Sequence, residues 1–184
     1  MSCAFRAVTP ADLETVRQLA DRIWHACYPG IITPEQIRYM LAWMYAPHKL
    51  SGELARGVTY ELVELGGKPV GYLAHELQDG GATLHLNKLY LLPELHGQGL
   101  GQAMLRRVIA FAQKAGAARI ELRVNRANAR AVRAYTRAGF KVVATVCQDI
   151  GAGHVMDDFV LRRDVPADAA ADPNPALPAG QCLP

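Results

Sequence analysis

The stretch Leu84-His85-Leu86-Asn87-Lys88-Leu89-Tyr90-Leu91-Leu92-Pro93-Glu94-Leu95-His96-Gly97-Gln98-Gly99-Leu100-Gly101-Gln102 decides the fold. Its first half, with Thr83 before it, reads as a strand over 83–92. Leu84 and Leu86 alternate in one phase, Leu89 and Leu91 in the other. A strand's period of two fixes which face each side chain takes, so a slip of one residue moves everything beyond it to the other face. An extra residue can absorb the slip, and the pattern predicts a β-bulge near Asn87-Lys88. A strand buried on both faces, where phase is immaterial, is the alternative. The second half is a glycine turn, His96–Gly101, running into a helix from Gln102 to about Lys114. Strand, glycine turn and helix in succession can hold an anion. Glycines accept positive φ and let a ligand approach the backbone. A helix start presents unpaired amides and partial positive charge. A plain tight turn would use the same glycines. Two familiar phosphate motifs fail. The P-loop needs Gly-Lys-Ser/Thr, and Leu100-Gly101-Gln102 stands there instead. The dinucleotide fingerprint needs a further glycine at Gln102 or Met104, depending on the starting glycine.

Working outward, helical and strand-like segments alternate. Phe5–Val8 is a short strand. Thr9-Pro10-Ala11-Asp12 starts a helix with a cap residue and an early proline, and Leu13, Val16, Leu19, Ile23 and Trp24 recur at helical spacing. Thr33-Pro34-Glu35-Gln36 opens a second helix with the stripe Ile37, Met40, Leu41, Met44. Residues 58–65 and 69–77 form a hairpin through Gly66-Gly67. After the glycine-turn helix come a strand at 120–124, a helix over 127–138 closed by Gly139, and strands over 140–146 and 155–161. The order β-α-α-β-β-β-α-β-α-β-β is a mixed α/β (α+β) fold. It implies a mostly antiparallel central sheet of about six to seven strands flanked by helices.

With 184 residues, 51% hydrophobic and 20% charged, the chain fits one globular domain rather than a disordered segment. Residues 1–164 form that domain. Residues 165–184, with prolines at 166, 173, 175, 178 and 184, read as a flexible Pro/Ala-rich tail. The net charge is +3. Asp164, Asp168 and Asp172 are the only charges from 164 onward, which leaves residues 1–163 at a net +6. That balance leans weakly toward an anionic ligand and is too small to argue for nucleic acid. The first ten residues lack the basic start and apolar run of a leader, and no window approaches the roughly 18 apolar residues of a membrane span. The cysteines 3, 27, 147 and 182 are scattered and form no CxxC pair, so neither zinc nor a disulfide framework is expected and a cytoplasmic setting fits.

The segment Val124–Phe140 adds a second motif: Asn128, Ala131, Tyr135 and Gly139-Phe140. With the His96–Gly101 turn at the right separation, it strongly resembles the GNAT superfamily of N-acetyltransferases. The likeness is tightest from 84 to 161 and covers most of 3–164 in element order. His96 departs from the family's Arg or Gln. That position mainly contributes its backbone amide, so the pocket is expected to survive. The resemblance implies acetyl-CoA as donor, with CoA as product, and no metal. It implies that amides of the turn, through Gly97, Gln98, Gly99, Leu100, Gly101 and Gln102, cradle the pyrophosphate, with His96 at the edge. It implies that the backbone of Leu89, Tyr90 and Leu91 pairs with the pantetheine arm, and that the bulge splays the strand to admit the thioester.

By the same resemblance Tyr135 protonates the departing CoA sulfur, and Asn128 contacts pantetheine or the helix start. Taken alone, Tyr135 also reads as a core aromatic. The general base is open. Where many family members carry Glu, Asn87 stands, which cannot be a base. His85, Glu76, His75 or a water chain to them could replace it. Arg126, Arg130, Arg133 and Arg137 form one helical stripe. It is either a solvated face or, through Arg130 or Arg133, a site for the 3′-phosphate. The acceptor side falls to Trp24, Tyr28, Asn87 and Asp157, within a region that also holds His25, Tyr39 and Tyr45. The segments around Tyr28-Pro29-Gly30 and Ile150–Val160 resemble a bacterial subgroup that includes polyamine acetyltransferases. Asp157 and Asp158 could hold a cationic amine or serve strand-edge solubility. The expected reaction is acetyl transfer to a primary amine of a small molecule or peptide, by direct attack in a ternary complex. A non-catalytic acyl-CoA sensor is the alternative, motivated by the missing Glu. No nucleic-acid or membrane partner is expected, and homodimers are common in the superfamily.

Overall fold

The structure is a computed structural model and describes residues 3–166. The proposed tail therefore lies outside the described residues from position 167 onward. Seven strands form one sheet: β1 (Ala4–Ala7), β2 (Thr59–Leu65), β3 (Lys68–Gln78), β4 (Thr83–Leu91), β5 (Arg119–Asn125), β6 (Lys141–Gly151) and β7 (His154–Asp164). Their order is β1-β2-β3-β4-β5-β7-β6. Only β4 and β5 run parallel. The helices are α1 (Leu13–Cys27), α2 (Pro34–Met44), α3 (Pro47–Ala55), α4 (Leu100–Lys114) and α5 (Ala129–Arg137). No helix among the described residues is long and apolar enough to cross a membrane.

Two differences from the sequence reading have physical causes. The first helix begins with a 3-10 turn, Pro10–Asp12, whose Asp12 carboxylate accepts from the Thr9 amide (2.8 Å) and the Arg6 guanidinium (2.9 and 3.0 Å). Helix α3 is unpredicted. Its buried positions are Leu50 and Glu53, and a buried carboxylate in the stripe hides the apolar periodicity.

The bulge is present. Ala74 pairs with Lys88 and His75 with Leu86, so Asn87 is the extra residue. It has a definite consequence for the two faces. His75 packs on Phe111 of α4 with ring centroids 4.3 Å apart, which marks that face of the sheet. Leu86 lies opposite His75, and Leu84 opposite Leu77 two residues on, so both share it. Beyond the bulge, Leu89 and Leu91 lie opposite Leu73 and Gly71, on the same α4 face. The inserted residue thus keeps all four leucines on one side; burying a leucine fully is worth about 1.5–3 kcal/mol. The opposite face receives His85, Asn87, Lys88 and Tyr90. Lys88 there reaches Glu53 of α3 at 2.8 Å.

The sheet opens at the same place. β4 pairs with β5 only over Thr83–Leu86 and Arg119–Leu122. From Asn87 to Leu91 the β4 edge that faced β5 has no strand partner among the described residues, and a cleft enters the sheet there.

Candidate active site

The cleft has a volume of about 790 Å³ and lies between α1–α3, the opened edge of β4, the glycine turn and α5. One end is built from backbone. The amide of Ala103 donates to the Gly99 carbonyl at 3.0 Å, and His96 donates to Pro93 at 3.1 Å. Among the described residues, none of the six amides between them, Gly97 to Gln102, makes a backbone bond outside its own helix. Gly97 and Gly99 sit at φ 78° and 82°, and a Cβ built on either would meet nothing within 4 Å. A row of unpaired amides on left-handed turns before a helix is a nest for phosphate oxygens. The expectation for His96 is corrected here. Its amide is engaged with Pro93, and its ring Nε2 donates to the Leu91 carbonyl at 2.9 Å. His96 therefore ties the end of β4 to the turn. Burial lowers its pKa, which keeps the ring neutral. Gln98 donates to the Glu94 carbonyl (3.0 Å) and Gln102 to the Ala134 carbonyl (3.0 Å), so their side chains brace the turn and join α4 to α5.

Arg130, Arg133 and Arg137 of α5 line this end, whereas Arg126 is turned to Asp157 at 3.1 Å. Asn128 caps α5: its side-chain oxygen accepts from the Ala131 amide at 3.1 Å. Tyr135 lines the middle of the cleft, its ring edge-on to Phe140 (5.8 Å). Burial, reinforced by Tyr28, raises the Tyr135 pKa, so its hydroxyl keeps its proton at neutral pH. Other aromatics line the cleft with it. Trp24 stacks on Tyr28 with centroids 4.4 Å apart, and the Tyr28 and Tyr90 hydroxyls lie 3.4 Å apart. Burial moves the Tyr28 pKa up to about 12. The Trp24 indole N–H is buried without a partner among the described residues.

The other end carries the side chains sequence reasoning assigned to the acceptor and the base. His85, Asn87, Trp24 and Tyr28 line the cleft. Burial lowers the His85 pKa, leaving the ring neutral and able to accept a proton. Glu76 does not line the cleft; it stands behind Asn87, accepting from its side-chain nitrogen at 2.9 Å. His75 faces α4, on the wrong side of the sheet. Asp157 also lies outside the cleft, and its neighbour Asp158 lines it instead, because Asp158 stands opposite Asn125 at the mouth of the split. Tyr45 is buried behind the site and bonded to the Tyr72 hydroxyl (2.7 Å). Tyr39 bonds the Ile150 carbonyl, and His25 bonds the Asp21 carbonyl on the exposed side of α1.

Sequence reasoning missed one cluster. Glu53 and Lys88 form a buried ion pair at 2.8 Å, and the Tyr60 hydroxyl donates to the same carboxylate. Lys88 also lies over the Tyr60 ring, 5.1 Å from its centroid. Burial lowers the Lys88 pKa, and Glu53 opposes that shift. The only signal for the cluster was a lysine placed on the strand directly after the phase slip.

Residues 17–140, about two thirds of the chain, match the model of the acetyltransferase (GNAT) family. An uncharacterised N-acetyltransferase of Mycobacterium tuberculosis is 40% identical over 99 residues, covering 54% of this chain and 62% of that protein. The chain thus spans less than two thirds of that relative's length. The spermidine N(1)-acetyltransferase of Thermoplasma acidophilum is 29% identical over 150 residues, covering 79% and 92%. Among solved structures, the PaiA N-acetyltransferase of Thermoplasma acidophilum in complex with coenzyme A superposes with a TM-score of 0.76 at 25% identity. That superposition covers 89% of this chain and 99% of that one. The opened β4 edge, the glycine turn and these likenesses agree: the chain belongs to the acetyltransferase (GNAT) family.

Proposed function

We propose that the protein transfers the acetyl group of acetyl-CoA to a primary amine by direct attack in a ternary complex. The observation that carries this is the continuity of one cleft from the unpaired amides of Gly97–Gln102, past Tyr135, to the side chains of β4 and β7. The turn amides, with Arg130 and Arg133, fit the phosphates of CoA. The free edge of Leu89–Leu91 fits the pantetheine amides in the manner of an added strand. The solved relative that holds coenzyme A supports that placement. Tyr135, kept protonated by burial, is suited to give its proton to the departing sulfur.

The acceptor arm limits the amine. Its carboxylates are Glu53, already paired with Lys88, and Asp158, while Lys49 and Arg123 also line it. This charge pattern suits one ammonium better than several. Spermidine, the substrate in the name of one relative, is the polyamine to test against monoamines and peptides. Thiol release should require both acetyl-CoA and an amine. Tyr135→Phe should lower kcat about a hundredfold while acetyl-CoA still binds. Full activity in that variant removes Tyr135 from the role. Tight acetyl-CoA binding without turnover across the panel would favour a sensor.

A further inference from the structure

The geometry points to Asp158 as the group that receives the acceptor's ammonium and takes its proton, an inference that rests on the acetyl-transfer reading. Asp158 is only 5% exposed, yet it lines the cleft. Its carboxylate makes no hydrogen bond or ion pair to any described residue; the neighbouring Arg126 pairs with Asp157 instead. Its oxygens are not among the fully buried unpartnered atoms, so they open to the cleft, where a ligand can supply the opposite charge. Asp158 shares that cleft with Tyr28 and Tyr135.

The charged and titratable groups that face Asp158 are Arg123 of β5, Tyr28 at the end of α1 and Asp157 on its own strand. Its partner on β6, Val146, is apolar. Burial raises the Asp158 pKa and Arg123 counters it. The carboxylate is therefore a stronger base than an exposed aspartate. Of its rivals, Glu76 is outside the cleft and Asn87 cannot accept a proton as a base; His85 also lines the cleft, and His85→Gln is measured beside Asp158→Asn to separate the two.

The step balances as follows. Asp158 takes one proton from R–NH3+ and passes it to solvent. The freed nitrogen forms a bond to the acetyl carbon as the bond from that carbon to sulfur breaks. Sulfur takes the Tyr135 hydroxyl proton. The remaining surplus proton on nitrogen returns to the Tyr135 oxygen, leaving amide, thiol and an unchanged tyrosine.

Asp158→Asn in the full chain tests this, with spermidine, tyramine and an alanyl peptide as probes. The expected result is a fall in kcat/KM of about a hundredfold at pH 7 for whichever probe the wild type uses. Acetyl-CoA affinity should be unchanged. The deficit should shrink as pH rises toward the pKa of the amine, because free amine no longer needs the base. The unfolding midpoint should hold, since no hydrogen bond or ion pair to a described residue is lost; a purely structural aspartate would lower it. Asp158→Ser, measured alongside, should show the same pH-dependent deficit. Activity within about threefold of wild type, with an unchanged pH profile, overturns the assignment while leaving acetyl transfer intact. Absence of wild-type thiol release with every probe overturns both.

Discussion

Replacing Glu53 by Gln probes the buried pair beneath the acceptor arm. The Lys88 side chain is 3% exposed and that of Glu53 10%, with 2.8 Å between them. Glutamine keeps the shape and an oxygen for the Tyr60 hydroxyl, so the change isolates the charge. Two limits bound the cost. Leaving the ammonium buried and uncompensated costs about 3–5 kcal/mol. Folding with Lys88 neutral instead means deprotonating it at pH 7, about 3.4 units below its free value, which costs about 4.6 kcal/mol. The limits agree, and for a chain of this size each kcal/mol moves the melting midpoint by about 2–4 °C, so a fall of roughly 6–20 °C is expected. The pH dependence has a definite sign. If Lys88 folds neutral in the variant, the unfolded chain binds the extra proton. Variant stability then rises with pH by about 1.4 kcal/mol per unit, up to the free lysine value near 10.4. Thermal unfolding followed by circular dichroism from pH 7 to 10 reads both effects. Glu53→Gln/Lys88→Met, with no charge left to bury, should be more stable than Glu53→Gln alone. A single variant within about 2 °C of wild type and flat with pH would show that the pair is solvated, and would refute this reasoning.

Other substitutions test separate parts. Gly99→Ala forces a side chain into φ 82° with open space around its Cβ, so its cost is conformational. It should lower stability by about 1–2 kcal/mol in urea unfolding and weaken acetyl-CoA binding by calorimetry. Gly71→Ala places a Cβ 2.5 Å from the Tyr90 carbonyl oxygen, where β3 crosses the free part of β4. Faster amide exchange across Tyr72 and Tyr90 should report the distortion. Asp12→Ala removes the Arg6 and Thr9 bonds at an exposed site, with an expected loss of about 1 kcal/mol at pH 7. Those bonds hold the Asp12 pKa down, the Arg6 guanidinium most of all. Its contribution is therefore present above the free carboxylate range and fades as pH falls through the lowered value. The difference between Asp12→Ala and wild type should accordingly vanish in strong acid.

The fold was legible wherever burial and local chemistry agreed. The leucine phase slip located the bulge because one face of β4 had to stay apolar. The glycines located the turn because few other residues adopt its backbone. Helix α3 was hidden by Glu53, a charge occupying a core position through its partner Lys88 on a distant strand. The choice between Asp157 and Asp158 was invisible for another reason. Adjacent residues on a strand point to opposite faces, and only the pairing of Asp158 with Asn125 says which one meets the cleft. His75 and Glu76 pose the same parity question, answered by the packing of His75 on α4. The role of His96 depended on a ring bond to Leu91, which no local pattern encodes.

The inserted residue in β4 also separates two kinds of evolutionary freedom. With the leucines at 84, 86, 89 and 91 confined to the α4 side, positions 85 and 87 can change without repacking the interior. Drift at these sites would alter which amine is welcomed while leaving the melting temperature nearly untouched. Positions 88 and 90 are the exceptions, since a change at 88 must be matched on α3 and Tyr90 packs on Trp24 and Tyr72. A library randomised at 85 and 87 should therefore yield many folded proteins of differing acceptor preference, whereas one randomised at 88 and 90 should yield few.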